Sequence, residues 1–207
     1  MTAFPFRRLA ARFHRDAAGV SAVEFAVTLP ILLMVLVCAA EMSHAIDNYR
    51  KVTVLARTVA DLTAQGDTQD PIAPATMADI MAASSLVLAP YSSSSVKIIV
   101  SALGVYLNVR PQVCSSYGKN VAARPTGYAA DLSIPNGYQI VGMRYVLAEV
   151  SMAYVPMLGS NFLKYLGNSA GYTLKAVVPW PVRGGKAYNN NTYSEVYFPN
   201  GNICPAT

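Results

Sequence analysis

The feature that most restricts this chain is one apolar run. From Val20 to Ala40 there are 21 consecutive residues whose only charge is Glu24. A helix needs about 20 apolar residues to cross the hydrocarbon core of a bilayer, so this run is long enough. The residues before it are basic, with Arg7, Arg8, Arg12 and Arg15 set against the single Asp16. Basic residues on that flank favour keeping it in the cytoplasm. The inner membrane is then the expected host, with the rest of the chain on its far side.

The net charge of +5 over 207 residues invites a nucleic-acid reading. Most of that charge lies in residues 1–19, and beyond them there is no basic run and no nucleic-acid motif. No nucleic-acid partner is expected. Hydrophobic residues make up 53% and charged residues 13%, a balance that fits a membrane segment joined to a folded domain and excludes a disordered chain.

Three readings compete for the apolar run. It can be an uncut anchor. It can be a secretory signal cut near Cys38, Ala39 and Ala40, where small residues cluster; a lipoprotein variant would modify Cys38, but the bulky Val37 precedes it. It can also be a prepilin-type segment, cut on the cytoplasmic side after Gly19. The third reading accounts for more residues. Cleavage there frees the amine of Val20 one helical turn from Glu24. A carboxylate at membrane depth costs about 2–3 kcal/mol near the centre and less at the edge, so a partner is expected. The Val20 ammonium of the same or a neighbouring subunit would serve and would fix the register of packed helices. The alternative is that Glu24 snorkels to the headgroups.

Residues 15–37 read Arg-Asp-Ala-Ala-Gly-Val-Ser-Ala-Val-Glu-Phe-Ala-Val-Thr-Leu-Pro-Ile-Leu-Leu-Met-Val-Leu-Val. With Gly19, Glu24, Phe25 and Pro30 set in an apolar run, this segment resembles the N-terminal signature of TadE/TadG-like proteins. These are pseudopilins and assembly proteins of the tight-adherence (Flp-type) pilus. The resemblance covers little more than residues 7–65. It implies cleavage between Gly19 and Val20 by a prepilin peptidase, a recognition or assembly role for Glu24 and Phe25, and other pilus and assembly subunits as partners.

Helical spacing continues past the run. Met42, Ala45, Ile46, Tyr49, Val52, Ala56, Val59 and Leu62 recur at intervals of three and four, and Asp47 and Lys51 are spaced to pair. No proline falls between Pro30 and Pro71. One helix over 20–65 is therefore expected, kinked at Pro30 by its missing donor. Residues 66–95 read as a linker with a short helix at Ala75–Leu88.

Residues 96–207 read as a β-rich head. One strand is expected from Val96, with Gly104 as a bulge or turn and Val105, Leu107 and Val109 resuming the alternation. A second covers Gln139–Val155, and a third covers Tyr172–Val178, ending at Pro179. Pro156–Gly167 reads as a loop with a short helix. The predicted fold is α+β: a long, pilin-like N-terminal helix packed on a small antiparallel sheet. Cys114 and Cys204 both lie in the head, where an oxidising compartment allows a disulfide; Cys38 reads as apolar filler.

Signals for chemistry are weak. The two histidines, His14 and His44, lie far in sequence from the head, which disfavours a Ser–His–Asp site. No metal or nucleotide spacing appears, so no cofactor, metal or enzyme activity is expected. Gly184, Gly185 and Lys186 read as a turn. Asp131 and Glu149 form a conceivable carboxylate pair that nothing in the sequence brings together. Tyr188, Tyr193 and Tyr197 with three consecutive asparagines suit either a contact surface or a loop lying over the core.

Overall fold

The computed structural model describes residues 17–67, 70–156 and 172–206. Most of the leader at 1–19 and most of the expected loop after Pro156 lie outside the described residues. Helix α1 runs from Ala17 to Ala64, with Pro30 inside it. Helix α2 follows at Pro74–Leu88. The strands are β1 Lys97–Tyr106, β2 Arg110–Lys119, β3 Gly127–Tyr128, β4 Arg144–Tyr154 and β5 Tyr172–Pro181. They form one antiparallel sheet of order β3-β2-β1-β4-β5. The α+β expectation holds.

The upper half of α1 packs on one face of this sheet and on α2. Val52, Leu55, Ala56, Val59 and Ala60 meet Ile98 and Val100 of β1, Val146, Ala148, Val150 and Met152 of β4, and Ala176 of β5 in one core. A smaller cluster on the opposite side gathers Leu103, Val105, Val113, Ile134, Tyr145 and Leu147. The helix ends where β5 leaves the sheet: the Arg183 and Gly184 amides both donate to the Ala64 carbonyl. An added Cβ on Gly184 would stand 1.8 Å from the Gln65 carbonyl oxygen, so only glycine permits this closure. The expected turn at 184–186 is present, with Gly185 at φ +75°.

The C-terminal segment is locked to the sheet by the disulfide between Cys114 and Cys204, which closes a separation of 90 residues. Buried Arg144 pairs with buried Glu195 at 3.1 Å and also donates to the Pro205 carbonyl. The Cys204 amide donates to the other Glu195 oxygen. Gly104 makes room for this arginine, since a Cβ there would stand 2.5 Å from Arg144 Nη1.

Several expectations need correcting. Leu107 and Val109 do not continue a strand: they flank Asn108 in a turn, with Asn108 and Val109 at φ 63° and 51°. Strand β2 was not expected, because its Cys-Ser-Ser centre lacks apolar alternation. The bulge lies opposite Ala102 and Leu103, where Cys114 is the extra residue of β2, and not at Gly104. β4 starts at Arg144 instead of Gln139. β5 runs through Pro179 and Pro181, which an edge strand tolerates because its outer donors need no partner. Asp47 does not pair with Lys51: Asp47 accepts the Tyr91 hydroxyl, while Lys51 donates to the Ala89 carbonyl and sits over the Tyr91 ring.

Candidate functional site

The exposed half of α1 is the part of the described structure that its own fold leaves unexplained. Its most apolar 18-residue stretch is wholly unburied, with mean hydropathy 2.4. Val20, Phe25, Leu32, Met34 and Leu36 all stand open. A helix apolar on every side belongs in lipid or inside a larger bundle. At 1.5 Å per residue, Val20–Ala40 extends about 31 Å, the thickness of a bilayer's hydrocarbon core. The apolar surface does not end at Ala40. Met42, Ile46 and Tyr49 continue it as an exposed stripe, on a different side of α1 from the sheet-facing Asn48, Val52 and Leu55.

The predicted site residues are arranged simply. Gly19, Val20, Glu24 and Phe25 lie on the first two turns of α1, and Val20 and Glu24 are separated by one turn. Glu24 and Phe25 accept the Thr28 hydroxyl through their carbonyls, at 2.9 and 3.3 Å. Among the described residues nothing calls for glycine at 19: the position is helical, and an added Cβ meets no atom within 4 Å. Glycine inside a helix costs roughly 0.5–1 kcal/mol relative to alanine, so its presence asks for a reason beyond the described contacts. Cys38 is unpaired and exposed on the same half.

The head brings together groups that look distant in sequence. Arg124 holds both Asp131, at 2.8 Å, and Glu149, which accepts from Nε and Nη2. The conceivable Asp131–Glu149 pair thus exists as a bridge through a cation, and Arg124 holds the Asp131 carboxyl below its ordinary range. At the foot of the head, His44, Asn48, Tyr91, Ser92, Ser95 and Tyr154 line a hollow of about 210 Å³. Tyr91 donates to Asp47 at 2.8 Å, and its hydroxyl lies 3.5 Å from His44 Nδ1. This bond to Asp47 raises the Tyr91 pKa. Here Asp47 serves the tyrosine and does not orient the histidine, so no nucleophile–base–orienter chain forms. Among the described residues, no group of three His, Cys, Asp or Glu could hold a metal ion.

The tyrosine- and asparagine-rich tail packs down onto the head. Val196 and Phe198 enter the main core. Tyr188 donates to Asp70 and meets Tyr197 edge-on at 6.0 Å. Burial and Asp70 push the Tyr188 pKa up. Asn189 and Asn190 take left-handed backbone angles at the turn. The sequence raised a contact surface and a loop over the core for this tail, and the observed packing is the second.

The decisive comparison falls on α1. Residues 19–61 match the family model of TadE-like proteins. The N-terminal helix is TadE-like. No curated protein matches the chain, and no solved structure matches it. The TadE-like match includes Gly19, Val20, Glu24, Phe25 and Pro30 and ends three residues before α1 does. The match covers 43 of the 207 residues and does not reach the head. Among the described residues α1 is the one helix long and apolar enough to cross a membrane, which suggests membrane anchoring.

Proposed function

We propose that this protein is a minor pseudopilin or assembly protein of a tight-adherence pilus used in surface attachment. It is processed after Gly19 by a prepilin peptidase, with its N-terminus in the cytoplasm and its head in the periplasm. The observation that carries this reading is the TadE-like helix whose apolar half is left unburied by the described residues. Such a helix acts by packing. Glu24 takes the new Val20 ammonium of its own or a neighbouring subunit and sets the register. Met42, Ile46 and Tyr49 extend the contact above the bilayer, and the head confers specificity toward other pilus subunits.

The rival reading is an anchored or secreted periplasmic binding or adhesive module. Secretory cleavage near Cys38 would cut in mid-helix, since α1 is continuous to Ala64. That continuity favours the processed or the uncut form over a released one.

N-terminal sequencing of the protein from membranes separates the outcomes. Val20 supports the proposal, Met1 supports an uncut anchor, and Glu41 or a neighbour supports secretion. Gly19→Ala should leave the head intact while the precursor accumulates. Glu24→Ala should reduce pilus assembly. Normal processing and piliation in both variants would overturn the reading.

A further inference from the structure

The top of the head carries side chains that its own fold does not use. Tyr106 and Arg110 are register partners across the β1–β2 hairpin, Gly104 is opposite Gln112, and Gln112 is opposite Tyr128 of β3. Register partners share a face, so Tyr106, Arg110, Gln112 and Tyr128 stand together on one side of the sheet. This end lies away from the apolar run. Leu103 pairs with Tyr145 and Tyr145 with Pro181, and shortly beyond, the Arg183 amide donates to Ala64 at the C-terminal end of α1. Tyr154 and Tyr172 mark the opposite end of the sheet.

Two hollows of about 260 and 220 Å³ adjoin here and share Gln112. Tyr106, Leu107, Arg110 and Tyr128 line the first, and Thr126, Gly127 and Asn202 line the second. Pro205 and Ala206 of the tail wall them on the other side, so together they form a groove. One wall is fixed. Tyr106 donates to the Pro205 carbonyl at 2.7 Å, and its ring lies 5.3 Å from the Arg144 guanidinium, which Glu195 holds in turn. The other wall is unspent. Arg110 sits over the Tyr128 ring at 5.3 Å, but among the described residues its nitrogens make no hydrogen bond or ion pair. The side chains of Gln112, Thr126, Tyr128 and Asn202 likewise make no hydrogen bond there. Polar groups converging on a concavity with aromatic walls have the form of a ligand site.

Charge narrows the ligand. Arg110 is the one groove residue with an uncommitted charge. Lys119, at the far end of β2, donates to the Met81 carbonyl and to Ser84, and Arg124 grips Glu149 on the other sheet face. One planar fork matches one carboxylate, and a densely charged polyanion would find no second cation. Gln112, Thr126 and Asn202 supply both donors and acceptors, which ring hydroxyls need. Tyr128, 59% exposed, supplies an aromatic face with a polar edge. An extended peptide would add to a free sheet edge, but β3 has only two residues, with Gly127 at φ +118°.

We propose that this groove binds an acidic saccharide, a chain of uronic acid rings. Arg110 takes a carboxylate, Tyr128 takes a ring face, and Gln112 and Asn202 take the hydroxyls of the next ring. The inference goes beyond the assembly reading and does not depend on cleavage after Gly19.

The test is calorimetric titration of the full chain in detergent micelles with three probes: a tetramer of mannuronic acid, cellotetraose as its neutral counterpart, and tetraglutamate as a peptide counterpart. The mannuronate tetramer should bind about tenfold or more tightly than cellotetraose, as one charge-assisted pair requires, and tetraglutamate should bind no better than cellotetraose. Arg110→Gln should weaken the acidic sugar about tenfold or more and leave the neutral one unchanged. Arg110→Lys, which keeps the charge and loses the fork, should fall between. Tyr128→Ala should weaken both sugars about threefold or more. Arg110 and Tyr128 are exposed, so the urea midpoint of the head should not move in any of these variants. Lys97→Gln, on the opposite sheet face, should change nothing. Equal binding of the acidic and neutral sugars, or an Arg110→Gln chain that binds as well as the wild type, would overturn the inference. So would tetraglutamate binding more tightly than either sugar, which would make the groove a peptide site, or no binding by any probe. The assembly reading would survive each of these results, because the N-terminal sequence of the membrane form and piliation test it separately.

Discussion

The two halves of α1 share one run of helical hydrogen bonds and differ in almost everything else. The upper half buries a stripe at Val52, Leu55, Ala56, Val59, Ala60 and Ala64, each with no exposed surface, and turns Arg50, Val54 and Arg57 outward. The lower half has its apolar stretch wholly unburied among the described residues. Backbone geometry is local and passes smoothly through Ala40, but burial is supplied from outside the helix. In the upper half the sheet supplies it. In the lower half the burying medium must be lipid or neighbouring helices, which is why the apolar residues there surround the helix instead of marking one side.

The largest effect expected from breaking this contrast comes from the disulfide. Replacing Cys114 and Cys204 together by serine reopens a 90-residue loop, worth about 4–5 kcal/mol in the chain-entropy model. Chemical denaturation followed by Trp180 fluorescence should show the head weakened by that order. Helicity of the lower half in detergent should not change. Loss of both together would mean that the two halves fold as one unit.

A direct comparison comes next. Leu55→Ala removes a fully buried side chain from the helix–sheet core and should cost the head about 3 kcal/mol. Leu33→Ala makes the same chemical change where the side chain is half exposed and touches no part of the head. It should leave the head's midpoint unmoved. Equal losses from the two would show that the lower half is folded back onto the head in solution.

These contrasts also explain which parts of the structure could be read from sequence. The long helix was legible because its signal is periodic and local, and the face of β4 from Val146 to Tyr154 because it alternates strictly. The cysteine pairing followed from compartment and elimination. β2 escaped notice because its residues Cys114, Ser115 and Ser116 answer to the tail: Ser115 accepts the Phe198 amide and Cys114 holds Cys204. A strand shaped by such long-range partners carries no alternating pattern. The Arg144–Glu195 pair was missed for the same reason, since 51 residues separate two charges that make sense only together. The apolar stripe on α1 was placed partly amiss as well. Met42, Ile46 and Tyr49 have the right spacing to join the core but lie off the line that the sheet covers. In the candidate site, Gly19, Glu24 and Phe25 were visible because their neighbours in sequence are also their neighbours in space.

Alkaline pH offers a smaller, graded test. Burial pushes the Tyr145 pKa up from 10.0 to about 12. The folded head therefore keeps that proton where the unfolded chain has lost it. The stability this group contributes is full below pH 10 and falls as pH rises from 10 toward 12, by at most about 1.4 kcal/mol per unit. Urea midpoints measured between pH 9 and 11.5 should decline, and Tyr145→Phe should flatten part of that decline. The exposed half of α1 has no tyrosine, so its helicity in detergent should stay constant over the range. A parallel fall in both would erase the distinction between the halves.

The smallest effect belongs to Arg124, on the sheet face turned away from α1. It grips Glu149 through two nitrogens and Asp131 through a third, with its own side chain and that of Glu149 each 19% exposed and Asp131 at 62%. Solvent screens much of such an interaction, so Arg124→Ala should cost the head about 1 kcal/mol. Because the carboxyl of Asp131 is held below its ordinary range, its contribution is present at neutral pH and lost as pH falls through the low carboxylate range. The wild-type advantage over Arg124→Ala should shrink accordingly in acid. The outcome bears on the helix comparison because nothing about Arg124 touches α1. If Arg124→Ala lowered head stability as much as Leu55→Ala, the sheet would be held mainly by its outer face. The docked half of the helix would then be a passenger on the head and not its core.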